Sequence, residues 1–326
     1  MAVFDAQLLS RSLIGGMTIE AFNSEVRERK AARFEAALDL EQLDALHSLS
    51  RLESLFKWEG IPMGNVDVFD DGQLRRLVDL QRKSGKSGLA VIADSFRRGS
   101  TIRVRDLDKF DARLHRFVEA VRRDFTAQAQ INLYLTPPTK TGFPPHFDIT
   151  DVFIVQCIGR KEWRIFNEYS GKTELPLMET DWDPDRFVPT APAEAMALSP
   201  GDVLYLPRGA MHQAFCTERE SMHLTISVVP LTFSELLAKA LKRVAEEDIE
   251  FRRRVPWSLE SGSGGLEAIV IQVKERIAAL SANLDLDALL RAERRVFQEE
   301  PEAVQTGELE SAIASLLDGA GQPARM

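Results

Sequence analysis

Between residues 131 and 228 the chain is divided into short apolar runs, and no other feature limits its fold as strongly. Residues 131–135, 151–158, 162–166, 202–206 and 223–228 are rich in β-branched and aromatic side chains, and each run is bounded by Gly, Pro, Asn or Asp. Runs of about four to eight such residues are the signature of strands. Several at this density, with turn signals between them, imply an antiparallel barrel or jelly roll. The flanks carry a helical period instead. Apolar positions recur at helical spacing in 39–49 and 71–83, and Leu107, Leu114, Phe117, Val118 and Val121 line one side of a helix expected between 102 and 125. The run 88–93 is expected to be the first strand. After Pro230 three further helices are expected, over 233–243, 266–280 and 285–298, with a flexible break at 262–265 and a frayed end.

A chain of 326 residues, 44% hydrophobic and 28% charged, has the balance of a globular protein with a real core, and that excludes a disordered tail. No apolar run approaches the roughly 20 residues that span a bilayer. The first residues lack a basic segment followed by an apolar one, so neither a membrane protein nor a secretory signal is expected. The net charge of −9 is the wrong sign for a general nucleic-acid footprint but leaves basic peptides and proteins open as partners. Basic residues in 97–105 and 113–123 are interleaved with acids, as on a solvated face. Cys157 and Cys216 are the only cysteines and form no Cys-x-x-Cys motif. A disulfide framework and a structural zinc site are therefore excluded, and a reducing, cytoplasmic compartment fits.

Five histidines are present. His47 and His115 lie in charged helical segments and are expected to be surface or helix-side residues. The other three fall in the strand-rich region. In an extended strand His146 and Asp148 share a face while Phe147 points away. Gly201, Pro207, Gly209 and His212 fit Gly-x5-Pro-x-Gly-x2-His, the second sequence motif of the cupin barrel. In that motif the glycines and proline bend the chain so that the histidine enters the next strand facing inward. His146, Asp148 and His212 together make the two-histidine, one-carboxylate set of non-haem Fe(II) sites, which leaves coordination positions open. Zinc would more often show a tetrahedral set with Cys or a third His. The bland alternative is that both histidines are hydrogen-bonded core residues of a barrel.

The stretch from Asn132-Leu-Tyr134 through His146-Phe-Asp148 to Gly159-Arg-Lys-Glu-Trp163 resembles the JmjC-type 2-oxoglutarate oxygenases, and among them the ribosomal oxygenases. The resemblance implies an α+β fold with a double-stranded β-helix (jelly-roll, cupin) core. It also implies Fe(II), with 2-oxoglutarate and O2 as co-substrates, and hydroxylation of a peptidyl side chain with release of succinate and CO2. By resemblance His146, Asp148 and His212 match the iron ligands, and Lys161 matches the residue that binds the distal carboxylate of 2-oxoglutarate. Lys161 has an independent reason: it alternates onto one face with Trp163 and Ile165, and an inward lysine needs an anion. Its neighbour Arg160 lies on the opposite face. Asn132, Tyr134 and Thr225 match polar positions around the co-substrate, and His223 is expected to support the site from behind the ligands or to be structural, and not to be a ligand.

Three segments are expected: a mixed α/β segment over 1–95 packing on the barrel, a JmjC/cupin catalytic core over 96–232, and a helical domain over 233–326. Residues 231–256 resemble the helical dimerisation module of the ribosomal oxygenases, which implies a homodimer. The residues after Leu280 show no β-hairpin wing, so a winged helix is not expected. The substrate implied is a protein or peptide, ribosomal or a natural-product precursor. A small metabolite or free amino acid is the alternative substrate, and a non-catalytic cupin scaffold is the alternative function.

Overall fold

The computed structural model describes residues 4–70, 72–255 and 265–298, which divide into two compact units, 1–232 and 233–326. The expected break at 262–264 and the chain end lie outside the described residues. The first unit is built on two antiparallel sheets. The larger runs β1 (Ala32–Phe34), β9 (Val203–Leu206), β6 (Asp151–Ile158), β11 (Ser221–Pro230), β5 (Ala127–Thr136), β4 (Thr101–Val104), β2 (Val66–Asp70) and β3 (Gln73–Arg76) in that order. The smaller runs β10 (Met211–Cys216), β7 (Lys161–Phe166) and β8 (Glu194–Leu198). Successive strands from β5 onward pass between the sheets in the order of a double-stranded β-helix. Its second strand is reduced to two bridges onto β10, Thr141 with Phe215 and His146 with His212.

The barrel interior is filled from both sheets. Val152 and Ile154 of β6 and Leu204 and Leu206 of β9 meet Trp163 and Ile165 of β7 and Leu198 of β8. The other face of the large sheet is covered by α7 (Ala112–Phe125), whose buried stripe Leu114, Phe117, Val118 and Val121 packs on β5. Burial on both faces explains why β6 is a nearly unbroken apolar run and not an alternating one. Each such side chain removed from water contributes about 1.5–3 kcal/mol before entropy is counted.

Four expectations are corrected. Residues 88–93 open a helix, α6 (Gly88–Arg97), capped by Ser87, which accepts from the Ala90 N–H. A short apolar run does not distinguish a strand from a buried helix turn, and the cap decides it. The helix expected from 102 begins only at Ala112, because Thr101–Val104 pairs with β2 and β5 and Asp106 turns the chain at φ 54°. The helical stripe over 71–83 is in part strand β3, followed by α5 (Leu77–Ser84). His47, expected to be a surface or helix-side residue, is 3% exposed and faces Asp111. The three helices after Pro230 form as expected, as α8 (Phe233–Glu247), α9 (Gly265–Asn283) and α10 (Leu286–Gln298). Among the described residues no helix is long and apolar enough to cross a membrane.

Burial pushes His47 down from 6.5 to about 4, and the Asp111 carboxylate only partly offsets this. The unfolded chain therefore binds a proton at His47 that the native state does not, over the interval between those values. Stability should fall as pH drops through that window, by about 3 kcal/mol at its lower end for this group. Denaturant titrations of wild type and His47→Leu across the window should show the slope in the former only. Equal slopes would remove His47 as the cause.

Candidate active site

The site begins with a backbone pair. His146 N–H donates to the His212 carbonyl at 3.0 Å, and His212 N–H donates to the His146 carbonyl at 2.7 Å. Two residues that exchange both bonds across an antiparallel ladder present their side chains on one face. Their imidazoles accordingly lie with centroids 4.5 Å apart. His146 Nδ1 sits 2.9 Å from the Pro144 carbonyl and His212 Nδ1 2.9 Å from the Ala210 carbonyl. A carbonyl only accepts, so each Nδ1 carries the proton and each Nε2 keeps its lone pair. Asp148 completes the group. One ligand atom from each of the three residues lies within 4.8 Å of the others, with Asp148 Oδ2 3.8 Å from His212 Nε2. Burial, with the charge of His146 next, lowers His212 to about 4.

The turn before His212 explains the glycines of its motif. Gly201 has φ 94°, and a Cβ there would lie 2.3 Å from the Leu38 carbonyl oxygen. Gly209 has φ 82°, and a Cβ there would lie 2.7 Å from Pro176 Cδ. Side chains are excluded at both points by conformation and by space. The Gly209 N–H donates to the Asp148 carbonyl at 2.8 Å, which ties the turn to the carboxylate-bearing segment.

A cleft runs from this cluster into the barrel. Lys161 lies in its wall, 2% exposed, donating from Nζ to Thr136 Oγ1 at 3.0 Å. Its other close contact is His223 Nδ1 at 3.5 Å. No carboxylate pairs with it among the described residues, and burial lowers it from 10.5 to about 8. Tyr134 and Thr225 also line the cleft. Asn132 does not: its Oδ1 accepts from the Asp106 N–H at 3.1 Å, at the turn after β4. His223 lines the cleft with them, and Tyr134 stacks on its ring at 4.9 Å.

Thr136, which accepts from Lys161, and the lining residues Thr101 and Phe143 escaped the sequence. Thr136 follows Asn132 and Tyr134 at period two on β5, so alternation alone would have found it. Thr101 and Phe143 had no such signal, because β4 was not recognised as a strand and Phe143 lies in a loop. Beyond them Asp67, fully buried, binds Arg103 at 2.7 Å, Arg105 at 3.0 Å and Arg76 at 3.3 Å.

A double-stranded β-helix that gathers this donor set has the cupin fold and three side chains that could hold a metal ion. Its sequence narrows the class: residues 104–236 match the JmjC domain family. Ribosomal oxygenase 1 of Danio rerio is 31% identical over 219 residues, which are 65% of this chain and 40% of that protein. The bifunctional lysine-specific demethylase and histidyl-hydroxylase NO66 of Dictyostelium discoideum is 31% identical over 202 residues, 59% of this chain and 38% of that one. The chain thus spans about two-fifths of the length of these relatives. Among solved structures, Escherichia coli YcfD in complex with cobalt and 2-oxoglutarate has a TM-score of 0.48 at 16% identity, over 80% of this chain and 67% of that one.

An ammonium buried without an anion is a cost to the ligand-free protein. Its lowered value means that the cost is fully present below about pH 8 and disappears as pH rises toward 10.5, where the unfolded lysine also loses its proton. Lys161→Met should stabilise the ligand-free protein by about 1–3 kcal/mol near neutral pH and by little at about pH 10. Urea denaturation at both pH values measures this, and a destabilised variant at neutral pH would contradict it.

Proposed function

We propose that this chain is an Fe(II)- and 2-oxoglutarate-dependent oxygenase that hydroxylates an amino-acid side chain of a protein or peptide, releasing succinate and CO2. The observation that carries the proposal is the unpaired Lys161 ammonium, buried in the same cleft as the two-histidine, one-carboxylate cluster. The donor set suits iron: neutral imidazoles and a carboxylate leave positions free for other ligands. Fe(II), when bound, supplies the activation of dioxygen.

In this reading His146, Asp148 and His212 hold the metal, and the Pro144 and Ala210 carbonyls fix the ring orientations. Lys161 binds the distal carboxylate of the co-substrate, with Thr136 orienting the ammonium. Val152, Ile154 and Ala214 line the cleft and exclude water. Tyr134 and Thr225 supply polar contacts along its wall. Asn132, whose amide holds the backbone after β4, acts by fixing that turn.

A protein substrate is supported by the names of the relatives, ribosomal oxygenase and histidyl-hydroxylase, and a basic one by the charge of −9. A ribosomal protein is therefore the first substrate to try, with a natural-product precursor peptide next. A cytoplasmic location belongs to the same proposal, supported by two free, buried cysteines.

Anaerobic addition of 2-oxoglutarate to Fe(II)-loaded protein should give the visible charge-transfer band of a chelated 2-oxo acid. His212→Ala should abolish the band. Its absence from iron-loaded wild type would sink the oxygenase reading. Peptides from ribosomal proteins, histidine-bearing ones included, should then gain the mass of one oxygen atom. Oxidation of free amino acids alone would move the assignment to the small-molecule alternative.

Homodimerisation is the second part of the proposal. In α8 Phe233, Leu237 and Leu241 are exposed at helical spacing, Phe233 at 86%, and α9 adds Val270 and Ile277. Exposed apolar stripes of this extent mark interaction surfaces. Light scattering should return twice the chain mass for wild type and the single-chain mass for Leu237→Glu with Leu241→Glu. A monomeric wild type would reject the assignment.

A further inference from the structure

Between β7 and β8 the chain makes a long excursion, 167–193, to which the proposed chemistry gives no task. Residues 174–185 read Glu-Leu-Pro-Leu-Met-Glu-Thr-Asp-Trp-Asp-Pro-Asp, with five carboxylates and no lysine or arginine. A charge of −5 in twelve residues stands against −9 for all 326. The five acids are exposed, and among the described residues none has a lysine or arginine partner. The two flanking basic residues are engaged elsewhere. Lys172 Nζ is 3.6 Å from Glu168, and the Arg186 guanidinium lies 4.9 Å from the Phe187 ring centroid. Apolar side chains interrupt the acids, with Leu177 65% and Met178 37% exposed.

This stretch is pinned at two points, and both pins touch the segments that carry the metal-binding side chains. On one side Pro176 is buried against the turn that precedes His212. Its Cδ comes so near that turn that a Cβ on Gly209 would lie 2.7 Å away, and its carbonyl accepts from Arg208 Nη1 at 3.5 Å. On the other side Trp182 stands edge-on to Phe147 at 5.2 Å and to His146 at 6.4 Å, and it stacks on Phe187 at 5.4 Å. Between the pins the Thr180 N–H donates to the Leu177 carbonyl at 2.9 Å and closes a turn. Leu177, Met178, Glu179 and Asp181 are thereby held beside the His146–Asp148–His212 cluster. A surface fixed in this way loses little conformational freedom when a partner binds.

We infer that residues 174–185 form the docking surface for the protein substrate, and that the segment they take carries apolar side chains flanked by lysine or arginine. The inference rests on the proposed protein substrate and adds the place where it is held and the composition that is recognised. An apolar centre inside a polar rim is the ordinary anatomy of a protein interface. Leu177 supplies area, and the unbranched Met178 adapts to the shape it meets. The acids draw basic segments in and repel acidic ones. Docking beside His146 leaves neighbouring residues of the same segment within reach of the cleft.

Three labelled twelve-residue peptides test this. The first has two leucines flanked by four lysines, the second has glutamates for the lysines, and the third has serines for the leucines. Fluorescence anisotropy should show the first binding wild type at least about tenfold more tightly than either of the others, as steering and apolar burial together require. Glu179→Lys with Asp181→Lys should weaken that peptide about tenfold or more at low salt and flatten its salt dependence. Leu177→Ser with Met178→Ser should weaken it at every salt concentration. All four side chains are exposed, so both variants should melt with wild type. Location is read from the Met178 methyl resonance, assigned by its loss in Met178→Leu, which the first peptide should shift. Equal binding of the three peptides, variants that bind as wild type does, or an unmoved Met178 resonance would each overturn the inference. The reading beneath it is reported separately by the charge-transfer band with 2-oxoglutarate, which both variants should retain. A wild type that binds the first peptide at Met178 but shows no band loses the oxygenase reading alone.

Discussion

The two backbone hydrogen bonds between His146 and His212 are the constraint on which the rest of the site depends. They are almost all that remains of the second strand of the double-stranded β-helix, the other bridge being Thr141 with Phe215. A longer strand would give a stronger ladder. A short one is sufficient here because the loop that carries it is fastened elsewhere, by the Gly209 N–H on the Asp148 carbonyl and by the packing of Phe147 on Tyr169 and Phe187. Phe147 points away from the cluster into its own apolar nest, and this alternation is what turns His146 and Asp148 toward His212. The apolar residue between the two polar ones is thus a structural part of the site.

Polar groups inside this barrel are not spread evenly. β5, β11 and the start of β7 carry Tyr134, Thr136, His223, Thr225 and Lys161, whereas β6 and β9 contribute Val152, Ile154, Leu204 and Leu206 to the interior. Within the large sheet the β5–β11 side provides hydrogen-bonding groups, with Lys161 on the other sheet, and the β6–β9 side provides burial. The separation allows a charged side chain to be kept in a barrel that is otherwise well packed. Lys161 sits beside two neutral groups, the Thr136 hydroxyl and His223 Nδ1, and no carboxylate pairs with it among the described residues, an arrangement that lowers the stability of the ligand-free protein. Asp67 shows the contrasting solution. It is fully buried with three arginines at hydrogen-bonding or ion-pair distance, so its charge is met within the chain and its cluster asks for no ligand on that account.

How far the site was legible in the sequence follows from these constraints. His146, Asp148 and His212 were readable because period-two alternation and the Gly201-to-His212 spacing are local rules, and local rules survive without a structure. Lys161 was readable for the same reason, as an inward position of a strand. Asn132 shared the face of Tyr134 by the same alternation, yet its amide is drawn to the Asp106 backbone. That backbone comes from a turn whose position no period predicts. β2, β3 and β4 were missed because their apolar and charged residues do not alternate cleanly: Asp67 is buried between Val66 and Val68 by arginines from two other strands. The error at His47 has a similar origin. Its charged sequence neighbours describe the outside of the helices, whereas the side that carries His47 faces Asp111, the N-cap of α7, 64 residues further along the chain.

The same logic bears on His223. From sequence it was a residue at the right period on a strand, indistinguishable from a histidine that merely fills space. What distinguishes it is three contacts from two other strands: the Tyr134 ring from β5, and Lys161 and Trp163 from β7, on an imidazole carried by β11. Each contact removes one freedom. Stacking removes rotation of the ring, the ammonium removes the choice of tautomer, and burial removes the charged form. What remains is a single N–H in a cleft that already holds a cation. A residue so completely constrained costs more to keep than a leucine of the same volume.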